Sequence, residues 1–199
     1  TDLNAHPHIS RNGTLAIVHN GIIENMGTLK SRLQEEGVEF RSETDSEVLV
    51  HLISRFYYGG LSFTDSVDPD SQGDPVEAVR SALLRVRGTW GIAVLFVDHP
   101  GLIVAARNGS PLVVGIGDGE TFIGSDSHAL VPFTRRVVFL NDGEIARIDR
   151  KGVQAFRLEG GASALDIQTL DELWGDGEKG DFPHFMLKEI HEQPVALRN

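Results

Sequence analysis

The chain has 199 residues, 40% of them hydrophobic and 24% charged, which fits one ordinary globular domain, or a large one with a tail, able to bury a sizeable core. Its formal charge of −11 argues against a nucleic-acid or anionic-membrane surface, and no apolar run approaches the roughly 18 residues of a membrane-spanning helix. With no cysteine, disulfides, thiolate metal sites and a thiol nucleophile are excluded within these residues.

The opening "TDLNAHPH" has loop-like composition, no initiator Met and no targeting segment, so a processed chain or a piece of a longer one is expected. Residues 14–18, "TLAIV", read as a short buried strand. "HNGIIEN" (residues 19–25) follows, and its Asn20-Gly21 pair suits a tight hairpin, because both residues tolerate φ > 0. No partner strand comes next. Residues 26–36 take helical spacing instead, with Leu29 and Leu33 one turn apart and Gly37 placed to end the helix.

Residues 38–40 suggest a brief strand, and "TDSE" (residues 44–47) has the pattern of a capping box. The helix it opens would carry Val48, Leu49, Leu52, Ile53, Phe56 and Tyr57 on one face and stop at Gly59-Gly60. Residues 61–75 are polar, acidic and rich in turn formers, as in a mobile surface loop; Pro75 then suits the first turn of a third helix through Val76, Val79, Leu83 and Leu84. From Thr89 the texture changes. Seven strand-like runs, "TWGIAVLFV", "GLIVAAR", "PLVVGIG", "ETFIGSD", "RVVFLND", "GEIARID" and "GVQAFRL", are separated by turn signals and by one short helix, "SHALVPF". Several are apolar on both faces, which calls for helices on one side and a second sheet on the other. Residues 160–182 are Gly- and acid-rich, as in a linker, and 183–199 start a further helix.

Taken singly, the short motifs have structural readings: "HNG" as a turn, "TDSE" as a cap. His6 and His8 stand two apart across a proline with no Glu or Cys nearby, which is poor metal-ligand spacing. "GIGDG" (residues 115–119) lacks the helix that a phosphate cradle needs, and the acidic "DSE" and "DPD" are scattered.

Together, "NAHPH" (4–8), "HNGIIEN" (19–25), "SETDSE" (42–47), "RNGSPLVVGIG" (107–117) and "GSDSHAL" (124–130) resemble, in order and spacing, the glutaminase domain of the glucosamine-6-phosphate synthase family. "FMLKEIHEQP" (185–194) resembles the entry into that family's sugar-isomerase half. The resemblance implies an α+β, αββα layered fold of the N-terminal-nucleophile hydrolase type with its first strands missing. It implies a truncated glutaminase domain over 1–159, a linker over 160–182, and the start of the isomerase segment over 183–199. The activity implied is that of a cytoplasmic aminotransferase in amino-sugar biosynthesis, which passes ammonia from L-glutamine to fructose-6-phosphate, without cofactor or metal, as a homo-oligomer. The Asn20 amide and Gly21 N–H would face the developing oxyanion at the end of a strand, Asp45 would hold the α-ammonium of glutamine, and His6 would line the same pocket. Gly21 also lets backbone approach substrate with no Cβ in the way.

The family's cysteine nucleophile and its "RWATHG"-like segment, with an arginine for the substrate carboxylate, have no counterpart in these 199 residues. Thr1 lies just upstream of "NAHPH" rather than at the head of a first strand, so it is not expected to replace that cysteine. The chain alone is therefore expected to be inactive. Two alternatives stay open: the glutaminase domain of another class II amidotransferase, such as the phosphoribosylamine-forming one, or a non-catalytic regulatory or assembly module of the same fold.

Overall fold

The computed structural model describes residues 2–59, 72–170 and 179–196. Thr1, most of the expected 61–75 loop, and 171–178 of the expected linker lie outside the described residues.

Two antiparallel sheets form the centre. The first contains β1 (His8–Ile9), β2 (Leu15–Ile23), β3 (Gly88–Phe96), β4 (Ile103–Asn108), β8 (Glu144–Asp149), β9 (Gly152–Arg157) and β10 (Ala162–Ser163), in the order β1-β2-β3-β4-β8-β9-β10. The second contains β5 (Val113–Ile116), β6 (Thr121–Gly124), β7 (Arg136–Phe139) and β11 (Ile167–Thr169), in the order β11-β7-β5-β6. All seven strand-like runs after Thr89 are strands. The presumed linker is corrected at its start, because β10 pairs with β9 and β11 with β7. The sheets thus continue to residue 169. Gly- and acid-rich composition misled here because edge strands this short need few apolar residues.

Helices α1 (Met26–Glu35), α2 (Asp45–Tyr57) and α3 (Pro75–Leu83) share one core with β2 and β3, built on Leu15, Ile17, Ile23, Ile53, Tyr57, Val79, Ile92 and Val94. A second core, with Ala105, Ala146 and Ile148 from one sheet and Val114 and Val138 from the other, joins the sheets face to face. Beyond the second sheet, Leu130 and Leu170 pack on Val113 and Val137. The expected order of helices, sheet and sheet is thus present. Helix α4 (Phe185–Ala196) follows, with Phe185, Met186 and Ile190 exposed.

Three local expectations are corrected. Residues 38–40 form no strand: Gly37 at φ +87° and the bonds Gly37 N–H to Gln34 O and Val38 N–H to Leu33 O end α1 in a Schellman motif. Val38 is apolar because that motif buries it, not because it pairs. Helix α2 is buried nearly all round, from Ser46 through Ser54, since α1 and α3 flank it and β2 lies against it. Leu84, expected within the third helix, is its exposed C-cap, and the start of α3 is capped by Asp74 accepting from the Val76 and Glu77 amides.

The most consequential correction concerns "HNG". The strand expected to stop at Val18 runs to Ile23, paired with β3 throughout, from Leu15↔Phe96 to Ile23↔Gly88. Asn20-Gly21 therefore lies inside a strand. A turn-type pair fits there because two backbones come unusually close. Gly21 has φ +140°, and a Cβ on it would sit 2.1 Å from Thr89 O; a Cβ on Gly88, at φ +123°, would sit 2.0 Å from Ile22 O. The last residue of "HNGIIEN" secures the exit: Asn25 accepts from Arg87 N–H and donates to Arg85 O.

These contacts predict opposite effects for two alanine substitutions. Gly88→Ala should cost roughly 3 kcal/mol or more, through backbone clash and an unfavourable φ. Gly27→Ala, in α1 with nothing within 4 Å of the added Cβ, should be neutral or stabilise by up to about 1 kcal/mol. Urea unfolding measures both; a Gly88→Ala midpoint equal to wild type would contradict the close approach.

Candidate active site

The ladder decides which atoms of β2 are free. Leu15 exchanges bonds with Ser10 on the β1 side, whereas Thr14 O accepts from Val97 N–H and Ile22 N–H donates to Thr89 Oγ1 on the β3 side. Antiparallel alternation then directs the N–H groups of the odd residues, Gly21 included, away from β3. Strand β1 covers that edge only at Ala16 and Ile17. Beyond it, among the described residues, the edge is met by the N-terminus of α2. Asp45 Oδ2 accepts the Ile23 amide at 2.8 Å. The Gly21 N–H thus opens two residues along the same edge as the Asp45 carboxylate.

Side chains alternate as well. His19 falls on the helix-facing side of β2 and is 5% exposed, while Asn20, like Val18 and Ile22, is exposed on the opposite side. His19 Nδ1 lies 3.0 Å from Ser46 Oγ and 3.7 Å from Asp45 Oδ1. His6 Nε2 reaches the same hydroxyl at 3.2 Å, and His8 Nε2 lies 3.1 Å from Thr44 Oγ1. The structure therefore gathers His6, Gly21 and Asp45 around one strand edge, with Asn20 on the adjoining face. His19, Ser46 and Glu47 belong to the same assembly, although reasoning from sequence gave them no site role. All three lie within the quoted motifs, which was the available signal.

Burial pushes the His19 imidazole below the ordinary value, with Asp45 and the Thr89 backbone partly offsetting it. His8 is lowered by burial and then by His6. Both rings are therefore neutral at physiological pH, and each has one donor and one acceptor nitrogen. Such an edge can offer a backbone N–H to a negatively charged oxygen and a carboxylate to a cation. Among the described residues, no group of three or more His, Asp or Glu could hold a metal ion.

Glu47 revises the expected capping box. Thr44 Oγ1 accepts from Glu47 N–H at 3.3 Å, the usual half of the motif. The carboxylate reaches past the cap, accepting from Arg41 N–H at 2.8 Å and from both the amide and hydroxyl of Ser42 at 2.6 Å. It therefore anchors the segment that leads into Asp45. His51, equally buried, sits 3.5 Å from it and edge-on to Phe40. "GIGDG" forms the β5–β6 hairpin turn, with Gly117 N–H donating to Glu120 O.

Burial alone would raise the Glu47 pKa, but the Ser42 and Arg41 hydrogen bonds and His51 bring it below its ordinary value of 4.5. A depressed carboxylate contributes stability that is present above the unfolded pKa and lost as pH falls through the folded one. Glu47→Gln should therefore destabilise by on the order of 2–3 kcal/mol at neutral pH, with the gap to wild type narrowing below about pH 4. Denaturant unfolding at both pH values tests this; a gap unchanged with pH would contradict the assignment.

Comparison with known proteins bears on the family and the fold. The glutamine amidotransferase domain family matches residues 1–132. Over all 199 residues the chain is 48% identical to an isomerizing glutamine–fructose-6-phosphate aminotransferase of Thermus thermophilus and 42% identical to that of Aquifex aeolicus. It spans only 30% and 31% of those proteins' lengths. Among solved structures, the glutamine phosphoribosylpyrophosphate amidotransferase from B. subtilis superposes with a TM-score of 0.60 at 24% identity. That match covers 78% of this chain and 32% of the other, a likeness of fold. The chain belongs to the glutamine amidotransferase domain family.

Proposed function

We propose that this chain is the glutamine-handling part of an amidotransferase that releases ammonia from L-glutamine and transfers it to fructose-6-phosphate, forming glucosamine-6-phosphate. The observation that carries this reading is the β2 edge, where the Gly21 N–H and the Asp45 carboxylate open side by side. Asp45 would receive the α-ammonium of glutamine. Gly21 N–H and the Asn20 amide would receive the oxyanion formed as a thiolate adds to the side-chain carbonyl. Ammonia then leaves, and water hydrolyses the thioester to glutamate. His6 would line the pocket.

The chain has no cysteine, so in this reading the thiol comes from outside these 199 residues. The acceptor half, an isomerase binding fructose-6-phosphate, would lie beyond α4 in a longer, homo-oligomeric protein. A sugar-phosphate acceptor is ionised and does not cross membranes, which supports a cytoplasmic setting. No helix of the described residues is long and apolar enough to cross a membrane. The high identity to fructose-6-phosphate enzymes favours that acceptor over phosphoribosylpyrophosphate.

Two predictions follow from the roles. The 199-residue chain should release no glutamate from glutamine above background; steady turnover would return Thr1 to consideration. In the full-length enzyme, Asn20→Ala should lower kcat by roughly 100-fold or more with little change in KM, because the oxyanion exists mainly in the transition state. Asp45→Asn should mainly raise KM, because the α-ammonium is present in both states. Its amide oxygen can still accept from Ile23 N–H, so the fold should survive. Steady-state kinetics with thermal melts decide. Asn20→Ala acting only on KM, or early melting of both variants, would remove the assignments.

A further inference from the structure

Ser46 is 3% exposed, and its hydroxyl lies between two imidazoles, 3.2 Å from His6 Nε2 and 3.0 Å from His19 Nδ1. A third neighbour, Asp45 Oδ1, stands at 3.5 Å, the limit of hydrogen bonding. The two rings come from distant parts of the chain, one ahead of β1 and one within β2, and Ser46 comes from the first turn of α2. A hydroxyl has one proton and two lone pairs. If it donates to Asp45 Oδ1, it accepts from both rings; if it donates to one ring, it accepts from the other. In each case one hydroxyl ties the two rings together, and neither ring turns without breaking a bond.

We propose that Ser46 is a positioning residue, whose hydroxyl locks His6 and His19 together and so sets the His6 ring and the Asp45 carboxylate for substrate. The side chain does not itself line the edge on which Gly21 opens. It acts through His6, which reaches the surface, and through His19, which packs 3.7 Å from Asp45 Oδ1. A neutral His19, as its burial requires, suits this arrangement, because a neutral ring offers one donor and one acceptor. Ser46→Ala leaves two ring nitrogens without their shared partner, and one of them is buried. The adjacent Asp45 would keep its bond to Ile23 but lose its lateral support.

This inference rests on the glutaminase reading, and its test separates the two. Glutamate release is measured for the full-length wild-type enzyme, Ser46→Ala and Ser46→Thr, with thermal melts of each. Ser46→Ala should raise KM for glutamine about tenfold, the worth of one buried hydrogen bond, with kcat within about threefold of wild type. Ser46→Thr, which keeps the hydroxyl, should restore KM to within about threefold of wild type. Wild-type kinetics in Ser46→Ala would overturn the inference and leave the glutaminase reading standing. Equal losses in both variants, in step with lowered melting temperatures, would make Ser46 a packing residue and also overturn it. A full-length wild type that releases no glutamate would overturn the glutaminase reading itself, and this inference with it.

Discussion

One hydrogen bond joins the two halves of the candidate site: the Ile23 amide donates to Asp45 Oδ2 at 2.8 Å. A carboxylate at a helix start is already favoured by the helix dipole. Here the same carboxylate also accepts the last amide of β2, so one group ends the strand and begins the helix. Its position depends in turn on what lies behind it. Glu47 pins residues 41 and 42, Thr44 Oγ1 caps α2 and meets His8, and His19 packs beside Ser46. Asp45 is thus held from the helix, from the preceding loop and from the strand.

The strand is constrained from its other side. Gly21 and Gly88 let β2 and β3 approach more closely than residues bearing Cβ atoms could, and Thr89 Oγ1 takes the Ile22 amide. The loop after β4 presses on the same point: a Cβ on Gly109 would meet the Thr89 methyl at 2.6 Å. Asn108 donates to Gly88 O, and Arg107 lies beside Asp142, whose carboxylate also accepts from Gly109 N–H. The "HNG" and "RNGSPL" motifs, far apart in sequence, therefore both close on Thr89, one on its backbone and the other on its side chain. Both are rich in Asn and Gly for steric reasons as much as for chemistry.

The strands after Thr89 were legible because long runs of β-branched and apolar residues between turn pairs leave few other folds. Helices α1, α2 and α3 were legible from spacing and from Thr44 and Pro75. What misled was local chemistry with more than one use. Asn20-Gly21 has turn propensity, yet β3 pairs along its whole length, and tertiary pairing outweighs local preference. Val38 resembled a strand because a Schellman motif also buries an apolar residue after its glycine. Glu47 fits the capping pattern by spacing, but only the fold shows that its carboxylate binds residues 41 and 42. The networks of His6, His8, His19 and Ser46 span up to 40 residues, and no short-range pattern announces them.

The central claim is that a substrate amide and α-ammonium are read along one strand edge. The most direct measurement is a crystal structure of the full-length protein with glutamate bound. The account predicts the α-ammonium within hydrogen-bond distance of Asp45, and a side-chain carboxylate oxygen at the Gly21 N–H and the Asn20 amide. Glutamate bound elsewhere, or bound here with Asp45 turned away and Gly21 N–H paired to protein, would contradict it.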